Sequence, residues 1–265
     1  MSCTLEELPF NLPLFEFGWV WLAGAGPGDP GLITLQTLNG LRNADVIVYD
    51  ALVNPQILEL AKKDAQLEFA GKRGGRPSAK QPDISSRLVA LAKQGLRVLR
   101  LKGGDPFIFG RGAEEAAILA EAGVPFRILP GVTAGIGGLA YAGIPATARD
   151  INSAVTFITG HSATGEMPES LDWKSLARGS PVLVIYMGLK HLTNISARLI
   201  EVGRDPTEAV AIISQATLPE QTVLETTLAD CAREAERHRV QPPTLIVVGQ
   251  VVELRAGLKW PFQSE

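Results

Sequence analysis

The stretch Arg100-Leu-Lys-Gly-Gly-Asp-Pro-Phe-Ile-Phe-Gly-Arg111 begins inside an apolar run, residues 97–101, that reads as a β-strand. It continues into two glycines, an acid and a proline at that strand's carboxyl end, where open α/β sheets bind their ligands. Gly103 and Gly104 let a backbone approach a ligand with no Cβ in the way. Asp105 can accept hydrogen bonds from hydroxyls or sit near a cation, and Pro106 stiffens the turn. The same four residues are also good turn chemistry with no ligand at all. A second loop of the same kind tips the balance towards a ligand site: Gly24-Ala-Gly-Pro-Gly-Asp-Pro-Gly31 follows the strand candidate 19–23, and Gly-Asp-Pro recurs at 28–30 and 104–106.

The first loop invites comparison with the dinucleotide fingerprint, and Asp50, after the strand candidate 46–49, sits near where a ribose-binding acid would fall. The match fails, because the third glycine of that fingerprint is Asp29 here. Pro27 and Pro30 remove amide donors that a pyrophosphate would need, and an aspartate there repels phosphate. No Gly-Lys-Ser/Thr follows a glycine loop, which excludes a Walker-type cradle. Glycines, prolines and acids together suit a ligand with a sugar and little negative charge.

A chain of 265 residues, 46% apolar and 20% charged, is long enough for one large or two modest α/β domains. Cys3 and Cys231 support neither a disulfide framework nor a thiolate metal site. His161, His191 and His238 share no metal-ligand spacing, and no Gly-x-Ser-x-Gly elbow supports a serine nucleophile. The first seventeen residues hold three glutamates and no lysine or arginine, unlike a secretory leader. Residues 128–148 are uncharged and long enough to raise a membrane question. Five glycines and two prolines interrupt them, and only 133–142 reads as a helix, so no membrane span is expected. These features predict a soluble, cytoplasmic protein without a metal.

Net charge is −3, unevenly placed: residues 71–111 carry ten Lys/Arg and two Asp, or +8, leaving −11 elsewhere. No aromatic interrupts that segment before Phe107, and the whole chain is acidic, which argues against nucleic acid. Arg87 and Lys93 read as the solvent face of a helix. Lys72, Arg73, Arg76, Arg100, Lys102 and Arg111 fall in loops or at strand ends and suit a compact, multiply anionic small molecule.

The first half alternates strand and helix: 19–23, 35–41, 46–49, 55–61, 66–69, 84–93, 97–101, 114–122 and 126–129. That pattern predicts a mostly parallel sheet with helices on both faces. Beyond the Gly/Pro-rich stretch 130–145, strand candidates at 155–159, 182–186, 209–213, 221–225 and 244–248 lie closer together, with helices near 192–201 and 228–237. A second domain with a mixed sheet is expected there. Stretches 165–171 and 217–221 read as exposed loops. The expected division is an N-terminal arm, disordered or extended, over 1–17, one α/β domain over 18–132 and another over 133–257.

Several separate blocks then converge: residues 20–30, 44–50, Gly71-Lys-Arg73, 98–107, Phe109-Gly-Arg-Gly112, Leu129-Pro-Gly-Val-Thr-Ala134, Tyr141-Ala-Gly-Ile-Pro145 and 155–161. In order and spacing the chain resembles the uroporphyrinogen-III C-methyltransferases of the tetrapyrrole methylase superfamily from about Trp19 to Leu254. The resemblance implies two α/β domains with the active site in the cleft between them, and a homodimer. It implies S-adenosyl-L-methionine as donor, S-adenosyl-L-homocysteine as product, and uroporphyrinogen III as an acceptor methylated at C2 and C7, through precorrin-1, to precorrin-2. By matching motif, the donor contacts Pro27, Gly103, Gly104, Asp105, Ile108, Thr133, Ala134, Met187 and the region of Ala216. Asp50 matches the family's proton acceptor and Lys72 its proton donor; Arg111, counted with them as catalytic, also joins Glu114 and Arg149 in holding the macrocycle. Read by itself, Asp50 serves equally well as a cap of the following helix, and Lys72 and Arg111 as simple charge clamps. Ala148 departs from the histidine usual in the family, which alters the expected substrate contacts. Other readings remain open: methylation of a later precorrin intermediate, a nucleotide-dependent oxidoreductase, or a tetrapyrrole-binding module without turnover.

Overall fold

The computed structural model describes residues 8–71, 81–161, 165–168 and 170–260. The chain divides into two compact units, Met1–Thr133 and Ala134–Glu265.

In the first unit, strands β1 (Val20–Gly24), β2 (Val46–Tyr49), β3 (Gln66–Phe69), β4 (Val98–Lys102) and β5 (Phe126–Leu129) form one sheet, in the order β3-β2-β4-β1-β5. Every pairing in it is parallel. Helices α1 (Leu35–Asn43), α2 (Pro55–Leu58), α3 (Gln81–Lys93) and α4 (Gly112–Glu121) connect the strands. All five residues of β1 and all five of β4 are buried, as a strand covered on both faces requires. Alternation sorts the side chains. Trp21, Ala23, Ile47, Leu99 and Leu101 pack with Leu41 of α1 and Ile57 of α2. Val20, Leu22, Val46, Val48 and Val98 pack on the opposite face with Leu88 and Leu91 of α3 and Leu119 of α4.

This winding places the site. The chain leaves β1 through α1 towards β2, and leaves β4 through α4 towards β5, on opposite faces and in opposite directions along the sheet. Neighbouring strands whose connections diverge make a topological switch point, where a crevice opens outside the strand ends. The two Gly-Asp-Pro loops are the loops leaving those two strands. Thr34 caps α1 through the amide of Thr37, whose own hydroxyl donates to the Gly24 carbonyl at 3.1 Å and ties the helix start to the end of β1. Residues 11–16 form neither helix nor strand, yet they pack on this unit. Phe15 stacks on Trp21 at 4.1 Å, and Asn39 Nδ2 donates to the Pro13 carbonyl.

The second unit contains α5 (Ala134–Tyr141), β6 (Thr156–Thr159), α6 (Trp173–Gly179), β7 (Leu183–Tyr186), α7 (Leu192–Glu201), β8 (Ala209–Ser214), β9 (Thr222–Thr227), α8 (Cys231–Arg237), β10 (Thr244–Val248) and α9 (Arg255–Leu258). Its sheet, β6-β7-β10-β8-β9, is mixed: β6 and β7 run parallel and the other pairs antiparallel. Ile185, Ile212 and Ile246 face α7 and α8, while Val184, Ala211 and Leu245 face Leu139 of α5.

The two expected exposed loops are exposed in part: Glu166, Ser170, Pro219 and Glu220 face solvent, but Met167 and Leu171 pack against the core, and Thr217 is 1% exposed, its amide donating to the Gln221 side chain. Helix α6 lies outside the expected pattern; Asp172 caps it and Trp173 anchors it in the core. The uncharged run 128–148 contains the end of β5, a turn and the eight residues of α5. Among the described residues, no helix is long and apolar enough to cross a membrane.

Candidate active site

The loops leaving β1 and β4 are hydrogen-bonded to each other. Ala25 N donates to Lys102 O at 2.7 Å, Gly104 N to Gly26 O at 2.7 Å, and Gly26 N to Gly104 O at 3.2 Å. Gly26 and Gly104 hold φ of +77° and +68°, a region that side chains with a Cβ disfavour. Pro27 follows, half-buried. Asp105 braces the arrangement: Oδ1 accepts the Phe107 amide at 2.7 Å and Oδ2 the Gly131 amide at 3.0 Å, joining the β4 loop to the one leaving β5. Thr133, buried, ends that third loop. One expectation changes here. A Cβ on Gly103 would fall 2.6 Å from the Leu52 Cβ, so the space beside this glycine is taken by the protein's own chain.

Asp50 stands at the end of β2, next to these loops. Its Oδ1 accepts the Leu52 amide at 3.1 Å and the Gly103 amide at 3.4 Å, and its Oδ2 lies 3.8 Å from Arg100 Nη2. It does not cap the next helix; Asn54 does, through the Gln56 amide. Arg100 and Lys102 are corrected as candidates for gripping an anion. Each is only 3% exposed, and both donate to Oε1 of the fully buried Glu115 on α4, at 3.1 Å. Burial, and next the adjacent Arg100, hold the Lys102 ammonium below its usual range. Arg87 and Arg97 are likewise engaged, with Glu68 and Asp45. Lys72, Arg73 and Arg76 lie outside the described residues.

Arg111 remains open to an anionic ligand. It is about half exposed, and its guanidinium meets Glu114 in a two-point pair at 2.9 and 2.6 Å. That pair holds the Glu114 carboxyl below the usual range. Arg111 begins α4 in a left-handed conformation, φ 59°, and Phe109 shares it at φ 51°. Non-glycine residues held there carry strain that tends to gather at functional sites. Phe107 and Phe109 are exposed beside it, with half-buried Ile108 between them.

In the second unit, Ala134, Met187 and Ala216 lie at one end of the sheet. Gly135 N donates to Tyr186 Oη at 2.8 Å, placing the start of α5 over the end of β7. A Cβ on Gly138 would fall 2.9 Å from the Ala216 Cβ, so α5 also lies against the loop leaving β8. Met187 follows β7 with φ 54° and is exposed; Gln215 and Thr217, on either side of Ala216, have φ of 53° and 65°. His161 Nδ1 lies 3.4 Å from the Met187 carbonyl. Tyr186 falls inside the strand expected at 182–186, while Gln215 and Thr217 escaped sequence reasoning, since nothing in their residue types signals a left-handed backbone. Arg149 is exposed on a loop shaped by buried Asn152, which accepts the Ala148 amide and donates to the Ala146 and Ala154 carbonyls. Among the described residues, no group of three or more His, Cys, Asp or Glu is placed to hold a metal ion.

Glycine loops paired at a switch point and furnished with carboxylates make the carboxyl end of this parallel sheet the candidate ligand site of an α/β protein. The chain belongs to the tetrapyrrole (corrin/porphyrin) methylases, whose family pattern matches residues 20–232. It is 60% identical over 256 residues to a uroporphyrinogen-III C-methyltransferase of Sinorhizobium sp., covering 97% of this chain and 91% of that one. A siroheme synthase of Yersinia enterocolitica is 51% identical over 244 residues; this chain spans 51% of its length. The crystal structure of uroporphyrin-III C-methyl transferase from Thermus thermophilus, complexed with S-adenyl homocysteine, superposes with a TM-score of 0.78 at 36% identity, over 89% of this chain and 99% of that one.

Proposed function

We propose that the protein is a uroporphyrinogen-III C-methyltransferase. It uses S-adenosyl-L-methionine to methylate uroporphyrinogen III at C2 and then C7, passing through precorrin-1 to precorrin-2, the branch compound of sirohaem and cobalamin synthesis. The observation that carries this reading is the hydrogen-bonded pair of Gly-Asp-Pro loops at the switch point, in a chain 60% identical to a relative of that name.

The residues fit the donor. Backbone groups and carboxylates suit its ribose hydroxyls and positive sulfonium. In the first unit, the backbone of Pro27, Gly103, Gly104, Ile108 and Thr133 would contact it, with Asp105 shaping the loop; Ala134, Met187 and Ala216 are the positions that match donor contacts by family motif. When bound, the donor supplies an electrophilic methyl group. The macrocycle carbon forms the new C–C bond as the S–CH₃ bond breaks, and the neutral thioether S-adenosyl-L-homocysteine leaves.

The chain's contribution is orientation and exclusion of water. Arg111 grips acceptor carboxylates through charge-assisted bonds, held in aim by Glu114 and assisted by Arg149. Asp50 accepts the proton that the macrocycle releases after methylation, its fixed carboxylate meeting the requirement for a positioned base. Lys72 is its proton-donating partner. The working enzyme is a cytoplasmic homodimer, as the family resemblance implies, and takes neither nucleic acid nor a membrane as partner.

The test is incubation with uroporphyrinogen III and methyl-labelled donor. Two labels per macrocycle and two equivalents of S-adenosyl-L-homocysteine are expected. No transfer to uroporphyrinogen III, with transfer to a later precorrin, would overturn the assignment.

A further inference from the structure

We infer that Arg100 is a positioning residue for proton transfer: its buried guanidinium aims the Asp50 carboxylate, and Glu115 on α4 holds Arg100 in place. The inference rests on the reading of Asp50 as the base.

Strand register starts the argument. Val46 pairs with Val98 and Val48 with Arg100, so by alternation Val46, Val48 and Asp50 share a sheet face with Val98, Arg100 and Lys102. Around them the face is covered by Leu88, Leu91, Ala116 and Leu119. Two cations in such a layer are expensive unless carboxylates accompany them. Glu115 balances one of the two, and the remaining positive charge is directed at Asp50.

The guanidinium is fixed on several sides. Nε donates to Glu115 at 3.1 Å, and Nη1 faces the carbonyls of Val48 and Leu101 at 3.3 and 3.2 Å. Nη2 is left towards Asp50 Oδ2, 3.8 Å away. The other oxygen of Asp50 is held by the amides of Leu52 and Gly103. One carboxylate is thereby set between a fixed cation and the backbone of the β4 glycine loop. Lys102 also senses Asp50, and Glu114 and Arg111 reach this cluster from the start of α4. In the step itself, the Asp50 carboxylate becomes a neutral carboxyl on taking the ring proton, while Arg100 stays charged and transfers nothing.

The test uses the whole enzyme and reads kcat for precorrin-2 formation and KM for uroporphyrinogen III alongside the affinity for S-adenosyl-L-homocysteine. Arg100→Gln leaves the Lys102–Glu115 pair balanced while removing the group that aims Asp50. It is expected to lower kcat about tenfold or more and leave KM and product affinity within about twofold, a change too small to mark a lost contact. Asp50→Asn is expected to lower kcat at least as far, and Arg100→Gln added to it to cause no further loss. If Asp50→Asn leaves kcat untouched, the assignment of the base fails. If Asp50→Asn lowers kcat but Arg100→Gln does not, the role of Arg100 fails alone. Should the glutamine variant not fold, Arg100→Lys keeps the charge and loses the fork. A fall in kcat of about tenfold or more at unchanged product affinity supports the inference, and an unchanged kcat overturns it.

Discussion

Asp105 Oδ2 accepts the Gly131 amide at 3.0 Å while Oδ1 accepts the Phe107 amide at 2.7 Å, so one carboxylate joins the loops leaving β4 and β5. Both are bonds from N–H donors. An asparagine offers one carbonyl oxygen and an NH₂ group, so it can satisfy one amide and must present a donor to the other. Asp105→Asn is therefore expected to destabilise the chain by about 1–3 kcal/mol and to weaken S-adenosyl-L-homocysteine binding as the loops part. Urea unfolding and calorimetric titration check it. Wild-type affinity in the variant would show that this brace is irrelevant to the donor site.

The approach of these loops also depends on Gly24. A Cβ there would fall 2.5 Å from both the Gly104 carbonyl oxygen and the Gly131 Cα, which are backbone atoms that cannot turn aside. Gly24→Ala should cost about 1–3 kcal/mol through overpacking and reduce donor affinity. Gly257→Ala, in α9 with nothing within 4 Å, should do neither. Thermal melting of the two variants side by side makes the comparison.

The first unit was legible because parallel strands are continuous apolar runs set off by turn residues. β2, β3 and β5 occupy the expected residues, and β1 and β4 are displaced by one. Arg100 and Lys102 were misread for a physical reason. Charges at a strand's end suggest a ligand, and only the arrival of α4 shows that Glu115 neutralises them inside the protein. Met187 was named by motif, but its left-handed conformation, and those of Gln215 and Thr217, were hidden, since they are imposed by the surrounding fold rather than by residue type. Asp50 stood out in sequence, but only the structure shows that Asn54 does the helix capping, leaving Asp50 held by Arg100 and two amides.

Stability should respond to acid through Asp45. The Arg97 guanidinium above all holds its carboxyl well below the usual range; burial opposes it, and the Lys62 ammonium and the Arg97 amide add to the lowering. An acid whose pKa is lowered by folding adds stability above its unfolded value, and that stability is lost as pH falls towards the folded one. The wild type should exceed Asp45→Asn by about 2 kcal/mol near neutrality, with the difference shrinking below about pH 4. Urea midpoints from pH 7 to pH 2.5, measured for both proteins, test the sign and the window; a difference independent of pH would refute it.

Arg111 sets stability against activity. Its φ of 59° is a conformation that costs an L-residue about 1–2 kcal/mol. Its exposed pair with Glu114 returns no more than about 1 kcal/mol. Glycine removes the backbone strain and is accepted at the start of a helix. Arg111→Gly should therefore fold at least as stably as the wild type, while losing the fork proposed to grip an acceptor carboxylate. That contact is worth about 1.5–3 kcal/mol, so kcat/KM for uroporphyrinogen III should fall roughly tenfold to a hundredfold. S-adenosyl-L-homocysteine should bind as before, since the contact proposed for this side chain is with the acceptor. Glu114→Gln keeps the cation and loosens its aim, so its kcat/KM should lie between the two. A loss of stability in Arg111→Gly with unchanged kcat/KM would make Arg111 a structural cap for α4 and remove it from the substrate site.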